Sequence, residues 1–202
     1  MTNGSKTQNE ESPVISTSPV GEGEVITRDA AGRITERANL KAGKLDGETI
    51  LYDQSGAVVQ RASFKAGLLD GEMTYFQKDV LLLKSSYKDG KLEGLSLTFD
   101  ETGRLLMQAE YKAGMLDGDS HWFGPEGKAL KRSQFRNGQL EGVTVEYYPD
   151  GQPHLRWQYL GNKLEGEMIE YAEDGKVKKR VSYRAGVPLD QQRSPGALPA
   201  AP

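Results

Sequence analysis

The chain has 202 residues, with 26 basic and 29 acidic side chains and a formal net charge of -3. That balance excludes a dedicated nucleic-acid binder, which needs a basic excess. The absence of Cys excludes disulfides, thiolate metal sites and thiol nucleophiles. Hydrophobic content is 36% and there are 24 glycines, a composition poor for one deep core and suited to a thin array whose units bury surface only against their neighbours.

Residues 1–21 are rich in Ser, Thr, Asn, Glu and Pro without periodicity, and read as a disordered tail. The segment has no apolar signal-peptide core. The longest apolar run, Val80 to Leu83, is far short of a membrane span. The expected location is the cytoplasm.

A repeat then begins. KAGKLDGE, from Lys41, returns as KAGLLDGE, KDGKLEGL, KAGMLDGD, RNGQLEGV and LGNKLEGE, at spacings of 24, 23, 24, 24 and 24 residues. A period of this size signifies a repeat array. A half unit precedes it, with Gly23 and Gly32 nine residues apart, as are Gly47 and Gly56 later. The second repeat is one residue short, and Asp79 is expected to take its turn. Each repeat holds two segments of strand length. One carries an aromatic column, Tyr52, Phe76, Phe99, Phe123, Tyr147 and Tyr171. The other ends on Leu40, Phe64, Tyr87, Tyr111, Phe135, Tyr159 and Tyr183, with small residues such as Ala38, Ala62 and Ser85 two positions earlier. Period-two alternation then puts basic columns (Arg37, Arg61, Lys84, Arg132) on the opposite face. Both aromatic columns are expected on one face. The turn acids Asp46, Asp70, Glu93, Asp117, Glu141 and Glu165 are expected to compensate the basic columns. The Leu before each acid is expected to seal the aromatic layer, and the first Gly of AGKLDG to take positive φ, with Asn162 as its substitute. The pattern fails at YRAGVPLD, so the array spans 22–187 and 188–202 is a second disordered, Pro- and Ala-rich tail.

The product is an all-β, elongated antiparallel meander of six to seven hairpin repeats, each about 24 residues long. The unit GxLDGxxxxYxxxGxΦxxxxxY resembles a MORN-type repeat, and most resembles the bacterial YwqK-family antitoxin variant. That resemblance covers residues 23 to 187. It implies a protein-interaction role, with a toxin as one class of partner, and in some relatives membrane or phospholipid binding.

No catalytic constellation is visible. His121 and His154 lack a third ligand at metal spacing. Ser120 and His121 are adjacent in a strand and face opposite ways. One carboxylate per repeat is too sparse for a calcium ladder, and no phosphate-binding Gly motif occurs. The expectation is a non-enzyme with no cofactor, metal or small-molecule substrate. Candidate binding residues are those that break the repeat. They are His121 in an aliphatic column, Trp122 beside it, Tyr148 in a loop position, Trp157 in the small column and Leu160 in a basic column. Trp and Tyr are favoured interface anchors. These residues mark a patch for a protein partner, expected to be a toxin or secreted effector with this chain as antitoxin, immunity protein or chaperone. The alternative is a scaffold or membrane-surface protein holding anionic lipid on its basic columns. A choline-type binding repeat ranks last, because such units need Trp in every copy and only two Trp occur.

Overall fold

The structure, a computed structural model, describes residues 21–189. Except for Gly21, Pro188 and Leu189, both expected tails lie outside the described residues. The strands are β1 (Gly23–Arg28), β2 (Ile34–Lys41), β3 (Lys44–Tyr52), β4 (Val58–Lys65), β5 (Leu68–Gln77), β6 (Val80–Lys88), β7 (Lys91–Phe99) and β8 (Leu105–Lys112). They continue as β9 (Met115–Phe123), β10 (Ala129–Arg136), β11 (Gln139–Tyr147), β12 (Pro153–Leu160), β13 (Lys163–Leu164), β14 (Gly166–Tyr171), β15 (Val177–Arg184) and β16 (Val187–Pro188). All belong to one antiparallel sheet in which sequence neighbours pair, with β13 and β14 both beside β12. The described residues contain no helix, so the expected meander is the observed fold.

Two kinds of hairpin alternate. The first is a two-residue loop with both residues at positive φ, as in Ala42 (51°) and Gly43 (73°), closed by the pair Lys41 and Lys44. This is a type I′ turn, whose twist matches that of the flanking strands. Asn162 (66°) fills the Gly role as expected, and in the shortened repeat Lys78 and Asp79 make the same turn. The second hairpin is a longer loop closed by Asp. Asp53 Oδ1 accepts the amides of Ser55 and Ala57, and Gly56 takes positive φ. This hairpin leaves a one-residue bulge on the following strand, between the pairs Leu51–Gln60 and Tyr52–Val58.

The LDG motif makes a second irregularity. From the pair Ala38–Thr49 to the pair Leu40–Leu45, β3 uses two residues more than β2. Gly47 sits in this bulge at φ 106°. Phe64 lies opposite both Gly47 and, on the next strand, Leu69, so each aromatic is paired with one glycine on one side and with the repeat's Leu on the other. The same arrangement recurs at Tyr87, Tyr111, Phe135 and Tyr159. The Leu therefore takes the sealing place expected of it.

The turn acids have another job than the one expected. Asp46 Oδ2 accepts the Ala66 amide of the next type I′ turn at 3.1 Å, and the Leu45 carbonyl accepts the Gly67 amide at 2.8 Å. Glu93, Asp117, Glu141 and Glu165 bond Ala113, Asn137, Gly161 and Ala185 in the same way. Glu22 does so for Ala42. A tight turn points its amides outward, and the preceding repeat supplies the acceptors. The basic columns pair instead with the residue after the bulge Gly: Arg37 with Glu24, Arg61 with Glu48, Lys84 with Glu72, Arg132 with Asp119 and Arg180 with Glu167.

The pairing also separates the two faces. On face A a row of small side chains crosses the strands: Ala38, Thr49, Ala62, Met73, Ser85, Ser96, Ala109, Ser120, Ser133, Thr144 and Trp157. Most of it is buried, and Ser120 and Ser133 are 0% exposed. The Phe64 column flanks this row. Face B carries Ile50, Arg61, Thr74, Lys84, Leu97, Gln108, His121, Arg132, Val145 and Arg156 in one cross-strand row, where base stems lie beside aliphatic groups. Tyr52 shares the side of Ile50 by alternation. The two aromatic columns therefore lie on opposite faces, contrary to expectation. The deepest positions are small residues, because a single-layer sheet has no second layer to accommodate large ones.

Candidate functional site

The five repeat-breaking residues do not form one surface. His121 is on face B, between Gln108 and Arg132, with its ring stacked 6.2 Å from Phe123. Trp122 is on face A, half-buried, with the Lys131 ammonium 5.7 Å from its ring centroid. Trp157 is also on face A, opposite Thr144 at the end of the small row. Tyr148 opens a long loop in the place of the capping Asp. Its hydroxyl donates to the Tyr171 carbonyl at 2.8 Å and its ring lies 4.3 Å from His154, so it braces neighbouring repeats. Leu160, 58% exposed, stands at a hairpin tip, at the opposite end of its strand from the long loops. A groove of about 570 Å³ passes Leu160, Tyr159, Gln158, Glu141 and Arg136. Burial, reinforced by the charge of Glu146, pushes the Tyr159 phenol above its ordinary pKa.

A different grouping emerges from the register. Parallel to the small row, face A carries Gln60, Tyr75, Leu83, Thr98, Met107, Trp122 and Lys131 in direct cross-strand succession. From Tyr75 to Trp122 this row holds no charge. The bulge residues Val59, Leu82, Leu106 and Leu130 lie next to it. A bulge turns its extra residue toward the side of the one that follows. The equivalent residue of β15, Lys178, shows that direction by reaching Glu170, on face A, at 2.7 Å. Tyr75, Leu106 and Leu130 are 42%, 40% and 46% exposed. The stripe is bounded by the Lys131–Glu146 ion pair at one end and Gln60 at the other.

Aligning repeats by their constant columns hides this stripe. Its positions change type from copy to copy: Leu51, Tyr75, Thr98, Trp122 and Glu146 in one strand, Gln60, Leu83, Met107 and Lys131 in the other. Only Trp122 stood out by residue type. The signal available in the sequence was a local lapse of charge in two variable columns, visible once cross-strand pairing is known.

The titration behaviour is that of loop capping. Asp29 is held below its ordinary pKa by the Arg33 amide, Asp53 by the Ser55 hydroxyl and Asp100 by the Thr102 hydroxyl. No cluster of metal-ligating side chains occurs among the described residues.

These features define a class, the single-sheet β-hairpin repeat array, stitched by turn-to-turn hydrogen bonds and open on both faces. The family model described as MORN repeat variant matches residues 92–113, 140–160 and 164–185. These segments coincide with β7–β8, β11–β12 and β13–β15, so the chain carries MORN-type repeats. No curated protein matches it.

Proposed function

We propose that the array is a non-catalytic protein-binding module whose face A stripe docks another protein chain. The observation behind this reading is the uncharged run Tyr75, Leu83, Thr98, Met107 and Trp122 with exposed Leu106 and Leu130 beside it. Contiguous exposed apolar surface with a polar rim is characteristic of interaction sites. On this reading the partner is a toxin or secreted effector, with the array as antitoxin, immunity protein or chaperone in the cytoplasm. The test compares proteins captured from the native host by the wild-type chain, by Leu106→Lys/Leu130→Lys and by Lys65→Glu at a hairpin tip. A partner lost only with the stripe variant supports the reading. Identical captures for all three overturn it.

A second reading, membrane-surface binding, is favoured by the hairpin tips rather than the strand columns. Lys41, Lys44, Lys65, Lys88, Lys91, Lys112, Arg136, Lys163 and Arg184 flank successive type I′ turns and are exposed, interspersed with exposed Leu68, Met115, Leu160 and Val187. Near an anionic bilayer each base contributes about 1 kcal/mol. Sedimentation with phosphatidylserine vesicles at low salt tests it, and no binding there removes it.

A further inference from the structure

The two ends of the sheet are finished differently. At the C-terminal end, β15 carries Lys178, Lys179 and Arg180 in succession and is partly covered by β16 with its Pro188. Bases and proline blunt an edge against further strands. At the other end β1 has β2 alone beside it among the described residues. Its centre is Val25, Ile26 and Thr27, three β-branched residues without charge or proline, and the register shift of this hairpin puts its extra residue on β2. Arg28 is a second departure. The same position is aromatic in all six later repeats, from Tyr52 to Tyr171. In the edge strand alone it is a base, four residues after the acid Glu24 and on the same face.

The hairpin fixes the direction of the backbone groups. Asp29 donates its amide to the Arg33 carbonyl at 2.9 Å, and the Thr27 carbonyl accepts from the Thr35 hydroxyl at 3.3 Å. Asp29, Thr27 and Val25 therefore face β2. Alternation turns the amides and carbonyls of Glu24, Ile26 and Arg28 outward.

We propose that β1 pairs antiparallel with β1 of a second copy, about a two-fold axis perpendicular to the sheet at Ile26, joining two arrays into one continuous sheet. Such an axis keeps every side chain on its own face, so it must pass through a pair of identical residues. Centred on Ile26, the ladder sets Glu24 opposite Arg28 of the mate and Val25 opposite Thr27, each twice. A centre at Val25 or Thr27 would set Glu24 or Arg28 against Ile26 instead. Opposite charges and β-branched pairs directly across a ladder are favourable. Glu24 keeps Arg37, 3.7 Å away, and gains Arg28 of the mate. The Arg28 guanidinium has donors beyond the one given to the Gly32 carbonyl at 2.8 Å. Both copies then present face A on the same side, so whatever docks on the stripe meets two of them. The dimer itself does not depend on what the stripe binds. An edge six residues long is a small contact, and the dimer is expected in the micromolar range.

Sedimentation equilibrium of the full chain between about 1 and 200 μM brackets that range. The wild type should dimerise. Glu24→Arg opposes two pairs of bases across the ladder and Arg28→Glu two pairs of acids, and each should raise the dimer dissociation constant by about tenfold or more. The decisive arm mixes these two variants. One chain then carries bases at both positions and the other acids at both, so both pairs are complementary. The mixture should recover dimer that neither variant forms alone, which two misfolded chains could not do. Ile26→Pro is a second probe. The N–H it removes points away from β2, so the circular dichroism of the monomer should be kept while the dimer is lost. Leu106→Lys/Leu130→Lys, on the stripe, should leave the constant unchanged, so failure of this inference and failure of the stripe reading are told apart. A monomeric wild type across the range, unaltered association in both single variants, a mixture that stays monomeric, a dimer that survives Ile26→Pro, or a dimer lost in the stripe variant each overturns the proposal.

Discussion

Ser120 offers a test in which deleting a polar group should stabilise the fold. Its side chain is 0% exposed, and its Oγ meets no hydrogen-bond partner among the described residues. The cause is visible in the register. Ser120 lies between Ala109, which has no hydroxyl, and Ser133, whose hydroxyl is bonded on its other side to Thr144 at 3.1 Å. In the equivalent pair two strands earlier, Ser85 and Ser96 bond each other at 2.8 Å. A buried unsatisfied hydroxyl costs about 1–3 kcal/mol. Ser120→Ala removes it, loses little packing, and should stabilise by about 1 kcal/mol. Ala109→Ser should do the same by supplying the missing partner, since Ser85 already fits the equivalent site. The two changes together should return the stability to about the wild-type value, because the hydroxyl introduced at position 109 is then left without the partner it was meant to serve. Ser133→Ala is the opposite control. It orphans the Thr144 hydroxyl and should destabilise by about 1–3 kcal/mol. Urea unfolding followed by circular dichroism reads all four, with melting shifts of about 2–4 °C per kcal/mol. If Ser120→Ala lowers the midpoint as Ser133→Ala does, the hydroxyl has a partner and the reasoning is wrong.

Three further outcomes follow from the local geometry. Glu93→Ala should lower the urea midpoint by removing the acceptor of the Ala113 amide, and Glu93→Gln, which keeps an acceptor oxygen, should lower it less. Gly118→Ala should destabilise by about 2 kcal/mol or more, measured by the same unfolding, because φ is +122° and a Cβ would stand 2.9 Å from that of Glu110. Gly127→Ala, at φ +74° in open space, should cost less. Acid titration should show stability fully present above about pH 4, the ordinary Asp range, and declining as pH falls below it. The sign follows from the lowered folded-state pKa values of Asp29, Asp53 and Asp100. Such groups stabilise when ionised and lose that contribution on protonation. Asp53→Asn should flatten the acid limb in a pH series of urea midpoints.

The hairpin rhythm was legible because turn chemistry is local. Gly43 and its counterparts take positive φ for reasons contained within four residues, and Asn162 and Asp79 identified themselves by the same rule. The roles of Asp46 and Glu93 were not legible. Their partners are amides 20 residues ahead, and nothing in the local sequence separates an acid that bonds a backbone from one that neutralises a base. The side of each aromatic column was misjudged for a related reason. Alternation fixes sides within a strand, but relating Tyr52 to Phe64 needs the register and the bulges between them. Tyr148 drew notice as an aromatic in a loop, yet its bond to the Tyr171 carbonyl makes it a brace.

This contrast explains why binding surface belongs to the variable columns. In an array, the Leu, acid and Gly of one repeat hold the turn of the next, so changing any of them disturbs two units at once. The Phe64 column is constrained in the same way, since each member stands opposite a bulge glycine on one side and a Leu on the other. Positions such as Tyr75, Leu83, Met107 and Trp122 carry no such duty. They vary from charged to aromatic among copies without altering the backbone. The array can therefore hold its architecture constant and still write a surface along one face, five strands long, in residues that folding leaves open.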